Sequence, residues 1–166
     1  MIVVFGSINL DTTIPVERLP RTGETVIGGD YHMSPGGKGA NQACAAARAG
    51  DEVHMYGSVG TDSFAEMALD LLQDAGVDLD GVGDSERPSG CATIWVDEAG
   101  ENAIIVSPGA NKDARAAQVP DRFLGPDTLV LLQMEVPDRE NWKLVERAAA
   151  KGSRILLNVA PAGVVP

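Results

Sequence analysis

The stretch Ser34-Pro35-Gly36-Gly37-Lys38-Gly39-Ala40-Asn41-Gln42, taken with Asn9 and Asp11 upstream, holds the residues whose types and spacing could do chemistry. Two adjacent glycines let a backbone turn sharply and approach a ligand closely, because neither carries a Cβ. A helix is expected from about Gly39, which sets Gly37 and Lys38 where free N–H groups and the helix dipole favour polar or negative ligands. Asn9 and Asp11 follow the apolar run Ile2-Val3-Val4-Phe5, at the end of which an α/β sheet presents its ligand crevice. A carboxylate, two carboxamides and a glycine turn can together hold a polyhydroxylated small molecule. Asp11 could accept two hydrogen bonds from vicinal hydroxyls, and charged acceptors make the stronger bonds. It could also be a turn or cap residue ahead of Thr12-Thr13. Lys38 could equally be solvated at a helix start.

The elements that must position these groups alternate along the chain. Ile2–Phe5 reads as a buried strand, Ala40–Ala49 as a small-residue helix closed by Gly50, and Val53–Val59 as a second central strand. Ser63–Ala75 is an amphipathic helix ended by Gly76, with Asp62 or Ser63 capping its first turn. Thr128–Met134 is another buried strand, Pro137 opens a helix to about Lys151, and Arg154–Asn158 is a final strand. Short apolar strands separated by helices imply parallel pairing with right-handed crossovers, an α/β fold. Two segments break the rhythm, 12–33 and 89–106. Both have alternating or β-branched runs and no helix signal, and the second reads as a hairpin around Glu98-Ala99-Gly100. Glu135 follows the strand before Pro137 and is expected to face the same crevice as Asp11, or else to serve as an acidic residue at the helix start.

Bulk properties narrow the function classes. The chain has 166 residues, enough for one domain with a real core, and 44% hydrophobic content. A net charge of −11 argues against nucleic acid and anionic membranes as partners. No apolar run approaches a membrane span and no cleavable signal is expected, so the expected compartment is cytoplasmic. Cys44 and Cys91 are far apart, with no CxxC, and read as two buried free thiols. His32 and His54 are isolated, and His54 reads as a core or edge residue. A Walker A loop would need glycine at His32 and Ser or Thr at Gly39, and a dinucleotide fingerprint would need glycine at Gln42; neither holds.

Gly6-Ser7-Ile8-Asn9-Leu10-Asp11, Gly23-Glu24-Thr25 and Gly36-Gly37-Lys38-Gly39-Ala40-Asn41-Gln42-Ala43 resemble the amino-terminal half of the ribokinase-like (PfkB-type) sugar kinases. The resemblance implies a mostly parallel sheet flanked by helices (1–11, 34–88 and 107–166), with 12–33 and 89–106 inserted as a small β lid over the sugar. It implies that Asn9, Asp11, Gly36, Gly37, Lys38, Asn41 and Glu135 contact sugar hydroxyls. Ala92 and Ile94 match apolar lid positions, although core packing accounts for them equally well. Asn158, in Leu157-Asn158-Val159-Ala160-Pro161-Ala162, resembles the family's Asn-Pro-Ala-Pro stretch and would line the site, with Val159 in place of the first proline. The implied partners are a sugar, ATP and a second copy of the chain packed through the lid.

Phosphoryl transfer to an alcohol needs a general base, stabilisation of the transferred charge and Mg²⁺. The resemblance implies a base Asp in a Gly-Ala-Gly-Asp-type segment, an Asn-x-x-Glu motif, an adenine site and a monovalent-cation site for K⁺. None of these motifs occurs in the 166 residues, so no catalytic and no metal residue is expected within them. Three readings stay open. The chain is the sugar-recognising half of a kinase for the 5-hydroxyl of D-ribose, a non-catalytic sugar-binding module, or part of a kinase for a nucleoside, fructose or a sugar phosphate. A parallel sheet cut midway leaves an unpaired edge, so the isolated chain is expected to associate.

Overall fold

A computed structural model describes residues 1–165. Its centre is a five-stranded parallel sheet in the order β5-β4-β1-β8-β9, built from β1 (Ile2–Phe5), β4 (Val53–Gly60), β5 (Asp78–Ser85), β8 (Leu129–Gln133) and β9 (Arg154–Asn158). Side chains alternate across it because successive residues of a strand point to opposite faces. Val4, Met55 and Leu131 enter one core, with Ala40, Ala43 and Cys44 of α1 (Lys38–Arg48) and Ala68 and Leu72 of α2 (Ser63–Asp74). Val3, Phe5, Tyr56, Val130 and Leu132 enter the other, with Leu144 and Ala148 of α3 (Asp138–Ala150). The result is the expected α/β arrangement with helices on both faces.

Local signals act as the sequence predicts. The Asp62 carboxylate accepts the Ala65 N–H at 3.1 Å and caps α2, and Gly50, Gly76 and Gly152, just beyond the three helices, all take positive φ. Helix α1 begins at Lys38, slightly earlier than predicted, and α3 begins at Asp138 with Pro137 as its cap residue. Cys44 and Cys91 are free thiols, Cys44 buried as expected and Cys91, on a strand of the second sheet, only half-buried.

One strand has no counterpart in the sequence reading. Asp78-Leu79-Asp80-Gly81-Val82-Gly83-Asp84 lacks an apolar run, yet it pairs with the fully buried β4 as an edge strand. Its glycines answer to packing rather than to turns. A Cβ at Gly81 would overlap the Tyr56 ring, and one at Gly83 would press on the Gln118 amide.

The second sheet has four strands in the order β3-β2-β6-β7: β2 (Asn9–Pro15), β3 (His32–Gly36), β6 (Gly90–Val96) and β7 (Asn102–Ser107). β6 and β7 form the expected hairpin, while β2 and β6 run parallel. This sheet is larger than the 12–33 and 89–106 segments expected from sequence, since it takes in Asn9 to Asp11 and Ser34 to Gly36. Asn9 and Asp11 therefore belong to the first strand of the second sheet, not to the end of β1. Gly6, Ser7 and Ile8 make the crossing between the sheets.

Candidate functional site

The geometry of the second sheet explains why its residues converge. Asn9 and Asp11 are two apart on β2 and share a face. The register sets Asp11 beside Ala92 of β6, Ala92 beside Val106 of β7, and Ile94 beside Ile104. These six side chains form one patterned surface, polar along β2 and apolar along β6 and β7. Against it stand Gly37, Lys38 and Asn41 from the start of α1, and Glu135 from just beyond β8. The ten residues line a cavity of about 140 Å³. A wider cleft of about 680 Å³ continues from it, shares Asn9, Lys38, Ile104, Val106 and Glu135, and adds Ser7, Asn111 and Lys112.

Eight of the ten residues singled out from sequence meet in the smaller cavity: Asn9, Asp11, Gly37, Lys38, Asn41, Ala92, Ile94 and Glu135. Gly36 does not line it. It pairs with Asn9 across β2 and β3, and a Cβ there would overlap the Asp11 carboxylate. Gly36 thus keeps the space in which that carboxylate sits. Asn158 does not reach the cavity either. It is exposed at the end of edge strand β9, and the cleft wall on that side is made by Met134 and Pro161.

Asp11 is the most unusual group in the site. Its Oδ1 is buried and has no hydrogen-bond partner. Burial raises its pKa above the ordinary carboxylate value, the nearby Glu135 carboxylate raises it further, and Lys38 opposes both. A buried acceptor without a donor costs free energy, so this oxygen is poised for a ligand that donates.

The glycine turn is engaged differently from the sequence reading. Gly37 has φ +89°, and a Cβ there would lie 2.8 Å from the Ser7 carbonyl oxygen, closer than side chains tolerate. Gly39 packs equally tightly on the Gly6–Ser7 backbone. The N–H groups at the start of α1 are not all free. Lys38 N–H donates to Glu135 Oε2 at 3.1 Å, Gly39 N–H to Ser7 Oγ at 3.3 Å, and Ala40 N–H to the Ser7 carbonyl at 2.9 Å. Ser7 Oγ in turn donates to Glu135 Oε2 at 2.6 Å, and Lys38 Nζ lies 3.5 Å from Glu135 Oε1. Glu135 therefore ties the β1–β2 crossing, the start of α1 and the end of β8 together at the cavity. Its carboxylate also complements the positive end of the helix.

Five named site residues escaped the sequence reading, Ile104, Val106, Ser7, Asn111 and Lys112. Ile104 and Val106 could have been found from the alternation in Asn102-Ala103-Ile104-Ile105-Val106 once the hairpin register is set. Ser7 and Asn111 gave no local signal. Asn111 meets Ile8 and Asn9 across about a hundred residues of chain. His54 lies outside the site, between Glu52 and Asp78 and against the Phe123 ring. Among the described residues no group of three or more His, Cys, Asp or Glu is arranged to hold a metal ion. No helix among them is long and apolar enough to cross a membrane.

Known proteins share this fold and resemble the chain along nearly its whole length. The pattern of the pfkB family carbohydrate kinases matches residues 1–163, so the chain belongs to that family. The ribokinase of Lactococcus lactis is 38% identical over 162 residues, covering 96% of this chain and 54% of that protein. Among solved structures, the ribokinase of Thermotoga maritima superimposes with a TM-score of 0.89 at 30% identity, over 99% of this chain and 54% of its own. The ribokinase of Arabidopsis thaliana, solved with ribose and ATP, gives 0.79 at 33% identity over 96% and 53%. The chain spans about half the length of the curated relatives it matches.

Proposed function

We propose that this chain is the sugar-binding half of an ATP-dependent kinase that transfers the γ-phosphoryl group to a sugar hydroxyl, the 5-hydroxyl of D-ribose. The observation that carries the reading is the buried, unpartnered Oδ1 of Asp11 in a cavity with amide donors on one side and an apolar wall on the other. In this reading Asp11 accepts from two hydroxyls of the sugar, while Asn9, the Gly37 N–H, Lys38 and Asn41 meet its other oxygens. Ala92, Ile94, Ile104 and Val106 exclude water and cover the carbon face of the ring. Glu135 acts on the sugar from beside Asp11 and holds Lys38 and the helix start in place. Fixing the sugar in this way supplies the orientation share of the rate enhancement. The ribokinase relatives, one of them bound to ribose and ATP, support ribose as the acceptor.

ATP and Mg²⁺ would supply the phosphoryl group and the charge neutralisation. Among the described residues no group of three or more His, Cys, Asp or Glu is arranged to hold a metal ion, and the first N–H groups of α1 are taken by Glu135 and Ser7. In the proposal the nucleotide, Mg²⁺ and a monovalent cation such as K⁺ are held mainly by polypeptide outside these residues, which also supplies the general base. The outer face of the second sheet carries Ile105, 59% exposed and directed away from the cavity. It supports a homodimer packed through this sheet.

Calorimetric titration of the purified, mass-checked chain with D-ribose, fructose and a nucleoside tests the reading, with Asp11→Ala as control. Ribose binding that the substitution abolishes is the expected result. A chain that binds none of the three refutes the site, and tighter binding of fructose or a nucleoside refutes ribose. ATP-dependent turnover by these residues alone would refute the assignment of the base to another segment.

A further inference from the structure

Asn111 lies in the short 3₁₀ turn Gly109–Asp113, is 1% exposed, and has every polar atom of its amide engaged. Its Oδ1 accepts the Ile8 N–H at 2.9 Å. Its Nδ2 donates to the Ile8 carbonyl at 3.1 Å and to Asn9 Oδ1 at 2.8 Å. A primary amide has one acceptor oxygen and two N–H donors, so this set uses both donors and the oxygen.

The direction of these bonds is not free. The Ile8 N–H can only donate, so it must meet the Asn111 oxygen. The Ile8 carbonyl can only accept, so it must meet the Asn111 nitrogen. The second N–H then faces Asn9 and requires an oxygen there. Reversing the Asn9 amide would set two donors against each other in a site where Asn9 is 4% exposed. With Oδ1 committed, the Asn9 group left for the cavity is Nδ2. Gly90 makes the arrangement possible, because a Cβ there would overlap both Asn111 Nδ2 and Asn9 Oδ1.

We infer that Asn111 is a positioning residue for ligand recognition, holding the Asn9 carboxamide with its N–H groups turned into the cavity. The inference rests on the sugar-binding reading above and sharpens it. The site offers a donor at Asn9 and, two residues along the same strand, an acceptor at Asp11. Its ligand must therefore present an accepting oxygen to Asn9 and a donating hydroxyl to Asp11. Asn111 reaches this result without touching the ligand, through a contact made between the two sheets.

The test compares Asn9→Ala, Asn111→Asp and the double variant in the full 166-residue chain, titrating D-ribose by calorimetry and following side-chain amide hydrogen exchange by NMR. Asn111→Asp keeps the size and the acceptor for the Ile8 N–H, but turns an oxygen on both Asn9 Oδ1 and the Ile8 carbonyl. Each single variant is expected to bind ribose roughly tenfold more weakly, the worth of one neutral hydrogen bond. The double variant is expected to bind within about twofold of Asn9→Ala, because both substitutions remove one contact. Losses that multiply would overturn the inference. In the unsubstituted chain without sugar, the Asn111 amide protons are expected to exchange slowly and those of Asn9 fast. Fast exchange at Asn111, or slow exchange at Asn9, would overturn it even if the variants fail to fold. A native chain that binds no ribose would refute the sugar reading alone, and the exchange pattern would still decide the role of Asn111.

Discussion

Replacing Asp11 by Asn should stabilise this protein and cripple its ligand binding at the same time. The carboxylate has one buried oxygen without a partner, and its pKa is raised by burial and then by Glu135. An unmet buried acceptor costs about 1–3 kcal/mol, and the half-buried Asp11 side chain belongs at the lower end. Asn has the same shape and leaves a polar atom in the same place, but it removes the charge and with it the burial penalty and the repulsion from Glu135. About 1 kcal/mol should therefore be recovered at neutral pH, or roughly 2–4 °C in Tm for a chain of this size. The sign with pH follows from the raised value. A carboxyl whose folded pKa lies above its unfolded one favours folding when protonated, and that contribution is lost as pH rises through the folded value. The Tm advantage of D11N should therefore be largest near neutrality and fade on acidification, as the native carboxyl takes up its proton. Binding moves the other way. Exchanging charge-assisted bonds to sugar hydroxyls for one neutral bond should cost about 2–3 kcal/mol, roughly 30- to 150-fold in Kd. Circular-dichroism melts from acidic to neutral pH, with ribose titration of the same samples, read both effects. A variant that binds ribose within about threefold of the native chain, or melts lower at neutral pH, would refute the reasoning.

Gly36→Ala should reproduce the binding loss of an Asp11 deletion, more than about tenfold, because its Cβ would take the carboxylate's space; titration checks it. Glu135→Gln removes the anionic acceptor shared by Ser7 and the Lys38 backbone and side chain. It should cost about 1–2 kcal/mol in urea unfolding and lower the Asp11 pKa, followed by carboxyl NMR. Leu156, 54% exposed on edge strand β9, should drive association of the isolated chain. Leu156→Lys is expected to shift light-scattering mass towards the monomer and leave ribose affinity unchanged. The Glu24 carboxyl, paired with Arg18 and with the Arg21 N–H, should titrate near pH 2, and its contribution should be lost as pH falls through that value.

Much of the fold was legible because it rests on local rules. The runs Ile2–Phe5 and Thr128–Met134 announce buried parallel strands, and Asp62, Gly50, Gly76 and Gly152 mark helix ends by chemistry that needs no tertiary partner. β5 was not legible, since its Asp and Gly residues carry no strand signal and the pairing comes from β4. In the site, the types of Asn9, Asp11, Lys38, Asn41 and Glu135 pointed to a hydroxyl-bearing ligand before any coordinates. The sequence by itself determined which groups are available and that two glycines allow close approach.

Tertiary structure alone decided what those groups do. It moved Asn9 and Asp11 onto the second sheet, where strand alternation aims both into one cavity. It gave the Lys38 N–H to Glu135, left Asn158 on an exposed edge, and used Gly36 to make room for a carboxylate. It also turned the Asn9 amide through Asn111. Each of these depends on contacts between residues distant in the chain, and hydrogen-bond direction and steric exclusion are properties of the assembled site that no local pattern encodes.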